Sequence, residues 1–217
     1  MPLLYKQTHP LLAVWKMDET NDELSALLPA AFSYPDIQQV AHAEVRLKER
    51  LTALALVKEL LGCEAEIRHR ESGAPYLPGS DWRLSISHTK GYAAVIIGTG
   101  AAAGIDIEYR SDRVKRIRSR FMTAEEEQGI DPAHEADHLL LHWCAKETLF
   151  KLIEEEEVDF QEHLHVCPFA FQEEGTFWAW ESRTAGQKRF RLAYRVAPEY
   201  VLVYQTLTPV MNTSLRS

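Results

Sequence analysis

Apolar residues recur at helical intervals from Ile37 to Leu61, at Val40, Val45, Leu47, Leu51, Leu54, Leu56 and Leu60, and Gly62 then stands where a helix stop belongs. Beyond it the period falls to two. Arg83 to His88 (RLSISH) alternates, Gly91 to Gly98 (GYAAVIIG) reads as a buried strand, and Gly104 to Glu108 (GIDIE) alternates again. Three strands joined by short turns suggest an antiparallel meander after the long helix. The same order then returns. A basic helix from Arg113 to Met122 and a capping box at Thr123-Ala124-Glu125-Glu126 lead into a second long helix, His134 to Ile153, and His163 to Thr208 reads as three more strands. Leu11 to Met17 supplies a first strand, with a short helix from about Asp22. The expectation is an α+β fold of two similar halves, residues 1–103 and 104–217, packed as one unit with no linker between them.

Composition narrows what such a chain can do. It has 217 residues, 46% hydrophobic and 26% charged, so a packed core is expected. No apolar run is long enough to span a bilayer and the N-terminus lacks a secretory pattern, so a cytoplasmic protein with no membrane partner is expected. The formal net charge of −8 makes nucleic acid a poor general partner. Cys63, Cys144 and Cys167 are too widely spaced for a zinc site or a disulfide framework and read as small, reduced core residues.

Two places carry unusual chemistry. In Gly104-Ile105-Asp106-Ile107-Glu108 both acids share one strand face, about 7 Å apart, and repel each other unless water or a cation screens them. A lone Asp-x-Glu is either a solvated strand face or a hard-cation site. In the second long helix Trp143, Glu147 and Phe150 fall at i, i+4 and i+7, which places a carboxylate in an apolar stripe expected to face the core. Such a carboxylate protonates, pairs with a cation or binds a metal. An i,i+4 pair with Lys151 is the simplest alternative. Oxygens from Asp106, Glu108 and Glu147 would fill about half of an octahedral Mg²⁺ shell and leave the rest for water and phosphate.

Ser85-Ile86-Ser87-His88, Gly104-Ile105-Asp106-Ile107-Glu108 and Trp143-Cys144-Ala145-Lys146-Glu147-Thr148-Leu149-Phe150-Lys151, in that order, resemble the signature of the 4′-phosphopantetheinyl transferases. The length looks like the larger, surfactin-synthetase-activating class rather than the short trimeric holo-acyl-carrier-protein synthases. The resemblance implies a pseudo-twofold fold in a single chain, acting as a monomer, with coenzyme A in the cleft between halves. It implies Asp106, Glu108 and Glu147 as magnesium ligands, Lys151 beside the pyrophosphate, and Arg46 and His88 on the 3′-phosphate. Ser87 would share that pocket, and the Gly73-Ala74-Pro75 turn would run along the adenine. Many relatives have Gly-Lys-Pro there; Arg70 or Arg68 could replace the missing ammonium.

The implied reaction is phosphoryl transfer: a serine of an apo acyl or peptidyl carrier protein takes the phosphopantetheine arm of coenzyme A, and adenosine 3′,5′-bisphosphate leaves. Glu147 is the candidate base, directly or by way of a metal-bound water. The other classes open to these residues are a different Mg²⁺-dependent phosphotransferase or nucleotide hydrolase, although the chain has no Gly-x-x-x-x-Gly-Lys-Ser/Thr loop, and a non-catalytic protein that binds through its basic helix. That helix, Arg110 to Met122, has six basic residues against one acid, with Val114, Ile117 and Phe121 at i, i+3 and i+7. Its stripe either packs inward or stays partly exposed, and the positive charge beside it suits an acidic carrier.

Overall fold

The computed structural model describes residues 2–99 and 102–206. The first half contains β1 (Leu3–Thr8), β2 (Leu11–Lys16), α1 (Asn21–Leu27), α2 (Pro35–Val40), α3 (Glu44–Leu61), β3 (Arg68–His69), β4 (Pro75–Tyr76), β5 (Trp82–Thr89) and β6 (Tyr92–Thr99). The second contains β7 (Ile105–Tyr109), α4 (Arg113–Ile117), α5 (Ala124–Gln128), α6 (Glu135–Ile153), β8 (Leu164–Val166), β9 (Glu174–Glu181), β10 (Arg189–Val196) and β11 (Tyr200–Gln205). The fold is α+β with two antiparallel sheets, ordered β1-β2-β6-β5-β4-β3 and β7-β11-β10-β9-β8.

Strand alternation builds the layers. On β6, Ala93, Val95 and Ile97 pack towards α3 while Tyr92, Ala94 and Ile96 turn to the second sheet. They meet Ile105 and Ile107 of β7 and Tyr200 and Leu202 of β11 in a shared apolar seam. Val201 and Val203, on the opposite face of β11, pack with Leu141, Ala145 and Leu149 of α6. The order of layers is therefore helix, sheet, sheet, helix. Because isoleucines fill the seam, Asp106 and Glu108 must face α6, as the alternation predicts. Gly104 permits the close approach: a Cβ there would lie 2.6 Å from Leu152 Cγ and 3.0 Å from the Thr148 carbonyl oxygen.

Several sequence expectations change. The helical run from Ile37 is broken at residues 41–43, so α2 and α3 are separate and Val45 is exposed. Pro35 opens α2 at its first position, and Gly62 ends α3 in the left-handed region at φ 76°. The strand β1 and the two-residue strands β3 and β4 are additional, and β7 does not continue the expected meander from β5 and β6 but pairs with β11 in the second sheet. The basic helix is short, passing into a 3₁₀ turn at Arg118–Arg120, whereas the Thr123 capping box opens α5 as expected. Residues 163–206 form four strands instead of three, and positions 207 and 208 lie outside the described residues. Cys144 is buried, Cys167 is half-buried and Cys63 is exposed, so only the first is a core residue; all three are free thiols. No helix among the described residues is long and apolar enough to cross a membrane.

The face of α6 remote from the acids holds two buried histidines. His142 stacks on Phe169, and its Nδ1 has no hydrogen-bond partner. Burial first, then the neighbouring His138 and Lys146, push its pKa down to about 3. The unfolded chain binds a proton here below about pH 6.5 while the folded chain resists until far lower, so stability is complete above that pH and falls as acid is added. The cost at pH 5 is about 2 kcal/mol from this group alone. His142→Leu should remove that amount from the decline in unfolding free energy between pH 7.5 and 5, followed by urea melts; an unchanged decline would mean His142 is not held neutral.

Candidate functional site

Residues of β5, β7 and α6 meet beside the seam. The Lys151 ammonium donates to Asp106 Oδ1 at 2.8 Å and to the Ile105 carbonyl at 2.9 Å. Ser87 donates to the same Asp106 oxygen at 2.8 Å. Asp106 is 5% exposed, and its Oδ2 is buried with no partner. Glu108 accepts from Trp143 Nε1 at 3.0 Å and from Thr89 Oγ1 at 3.2 Å. The i,i+4 pair of Glu147 with Lys151 does not form, because Lys151 is turned to Asp106.

The carboxylates feel each other. Burial, then the charge of Asp106, raises the pKa of Glu147 to about 7. The same two causes raise Glu108, partly offset by its bonds to Trp143 and Thr89. The stripe of Trp143, Glu147 and Phe150 faces the core at one end only: Trp143 packs against it and against Phe121, Glu147 is half-buried, and Phe150 is 40% exposed in a cavity wall. Cys144 is sealed beside Asp106, and burial keeps its thiol protonated, which fits packing.

As the side chains stand, no group of three His, Cys, Asp or Glu residues among the described ones is arranged to hold an ion. The donor chemistry nevertheless fits a hard cation. Asp106 Oδ2 is orphaned, and a positive charge would relieve the repulsion that raises Glu108 and Glu147.

Two cavities flank the Gly73-Ala74-Pro75 turn. One of about 490 Å³ is lined by Arg70, Tyr76, Ile86, Phe150 and Lys151, with Glu154 to Glu157 along its rim. The other, about 370 Å³, is lined by Arg46, Arg50, His69 and His88. Gly73, Pro75 and Ile86 belong to both walls. Arg46 and His88, on different elements, thus reach one cavity, where His88 Nδ1 lies 3.4 Å from Glu49. Arg70 lines the larger cavity, near the Tyr76 ring, whereas Arg68 pairs with Glu66 at 2.8 Å and lines neither. Ser87 also lines neither; it is 7% exposed and turned to Asp106.

Sequence reasoning missed Arg50 and His69. His69 is bonded to Asp36 at 2.5 Å and accepts from Arg50, which fixes the Arg50 guanidinium and the imidazole at the cavity wall. Arg50 follows Arg46 at i+4 on α3, and that spacing was the available signal. Lys146 was missed too. It is fully buried, donating to Glu126 at 2.8 Å, to the Phe160 carbonyl at 2.9 Å and to the Phe121 carbonyl, and so ties the loops around α5 to α6.

No curated protein matches the chain. A family model does: a domain of the 4′-phosphopantetheinyl transferase superfamily (ACPS) matches residues 102–202, the segment that carries Asp106, Glu108, Glu147 and Lys151.

Proposed function

We propose that the chain moves the 4′-phosphopantetheine group of coenzyme A to a serine of an apo acyl or peptidyl carrier protein and releases adenosine 3′,5′-bisphosphate. The observation that carries this reading is the position of Lys151, which bonds to Asp106 beside Glu108 and Glu147 and also lines the cavity against the Gly73-Ala74-Pro75 turn. Carboxylates able to hold a divalent cation, with one ammonium at a cavity mouth, suit a diphosphate; the second cavity, with Arg46 and Arg50 in its wall, suits the 3′-phosphate. The superfamily match over 102–202 supports the same chemistry. In this reading the halves 1–103 and 104–217 are pseudo-twofold counterparts in a cytoplasmic monomer of the surfactin-synthetase-activating class, each a long helix on its own sheet.

The serine oxygen attacks the phosphorus that bears the pantetheine arm; the bond to the other phosphate breaks, and that phosphate leaves with adenosine 3′-phosphate. Glu147, half-buried beside Asp106 and Lys151, takes the serine proton. Lys151 orients the diphosphate and offsets its charge. Asp106, Glu108 and Glu147 would hold Mg²⁺, which neutralises phosphate oxygens when bound. The site performs positioning and charge neutralisation, and no covalent enzyme intermediate is required. Incubation with coenzyme A, Mg²⁺ and apo-carrier should release adenosine 3′,5′-bisphosphate in step with holo-carrier; release without a carrier would instead indicate a hydrolase.

Arg46→Ala or His88→Ala should weaken coenzyme A binding about tenfold or more and leave 3′-dephospho-coenzyme A nearly unaffected, because a charge-assisted hydrogen bond is lost only where the phosphate is present. Calorimetry with both ligands checks this, and equal losses would place the 3′-phosphate elsewhere.

A further inference from the structure

Along β5, the hydroxyls of Ser85, Ser87 and Thr89 stand at i, i+2 and i+4 on the face turned to the second sheet. They accept hydrogen bonds from the N–H groups of Ile105, Ile107 and Tyr109 at 3.3, 3.2 and 3.1 Å. β7 is the edge of its own sheet, paired only with β11, so these N–H groups have no strand partner. The hydroxyls replace that partner and lock the register between the halves. Two of the rungs go further. Ser87 spends its proton on Asp106 Oδ1 and Thr89 on Glu108 Oε2. No carboxylate among the described residues accepts from Ser85.

We infer that Ser87 and Thr89 are positioning residues for a divalent cation, each tying a β7 N–H to a carboxylate and so fixing how that carboxylate is presented. With Ser87 and Lys151 both on Oδ1, Asp106 is held so that Oδ2 is the unpartnered oxygen. Trp143 and Thr89 grip one oxygen each of Glu108 and set the plane of its carboxylate. This assigns Ser87 to the metal end of the cleft and away from the 3′-phosphate. It rests on the reading of Asp106 and Glu108 as cation ligands.

The test is binding of Mn²⁺ alone to the full chain, followed by the paramagnetic signal of the free ion, with neither coenzyme A nor carrier present. Ser87→Ala and Thr89→Val should each weaken Mn²⁺ binding by about 10- to 100-fold, the usual effect of losing a group that orients a ligand. Ser87→Thr, which keeps the hydroxyl, should restore it. Ser85→Ala removes a rung without touching a carboxylate; it should lower the melting temperature as much as Ser87→Ala does and leave Mn²⁺ binding intact. If Ser87→Ala does not fold, Ser87→Cys, nearly isosteric with a weak donor, is measured with the same expectation. Wild-type Mn²⁺ affinity in the Ser87 variant would reduce the ladder to a structural zipper and overturn the inference. Failure of the wild-type chain to bind Mn²⁺ would overturn the ligand reading itself, and the inference with it.

Discussion

Asp106→Ala should lower phosphopantetheine transfer by about a thousandfold or more while leaving the melting temperature unchanged or slightly raised in the absence of divalent cation. The two effects have opposite signs for one reason. Asp106 is a buried carboxylate with an unpartnered oxygen, and its charge is the second cause of the raised pKa of both Glu108 and Glu147. Removing it relieves that repulsion, which offsets the acceptor lost to Ser87, and Lys151, still 26% exposed, keeps the Ile105 carbonyl and gains water. Catalysis loses a charge that preorganises the site, an effect measured in several kcal/mol where charge develops in the transition state. Thermal melts and initial rates on the same preparation separate the two. Near-normal turnover at saturating Mg²⁺ would show that Asp106 is not a ligand.

The second large effect is on the carrier. The apolar stripe of the basic helix packs inward: Val114 and Phe121 are buried and Ile117 is half-buried against the core. The charges divide in a way the sequence could not show. Arg110 pairs with Asp137, Lys115 with Asp112 and Glu135, and Arg118 with Glu127 and Glu135. Arg113, Arg116 and Arg120 are exposed and form no ion pair among the described residues. Three unneutralised guanidiniums on a chain of net charge −8 concentrate its positive potential directly after β7. Complementary charge acts on encounter rate and orientation. Arg113→Glu, Arg116→Glu and Arg120→Glu together should raise KM for an acidic carrier about tenfold or more at low salt, flatten its salt dependence and leave coenzyme A affinity unchanged. An unaltered KM at both salt concentrations would mean the carrier docks elsewhere.

Periodic features were legible in the sequence and tertiary ones were not. The shared face of the two acids on β7 follows from alternation, α6 from its helical pattern and the Thr123 cap from its capping-box spacing. The break before α3 falls at Ala41-His42-Ala43, where neither glycine nor proline warns of it. The strands β3 and β4 are two residues each, too short to show a period. The stripe containing Glu147 meets the core at Trp143 and a cavity at Phe150, a division that helical spacing cannot show. Ser87 carried a single visible cue, its motif; that its hydroxyl turns to Asp106 depends on how the two sheets stack. The cationic cavity gathers Arg50 on α3, His69 on β3 and His88 on β5, three elements brought together only by the fold.

The intact mass of an apo-carrier, measured after incubation with this chain, coenzyme A and Mg²⁺, bears most directly on the function proposed. The proposed transfer should add one phosphopantetheine to the carrier, a gain abolished by EDTA, by Asp106→Ala in the enzyme, or by replacing the carrier's acceptor serine with alanine. A carrier of unchanged mass, across a panel of acyl and peptidyl carriers and with the folded chain at saturating Mg²⁺, would contradict it.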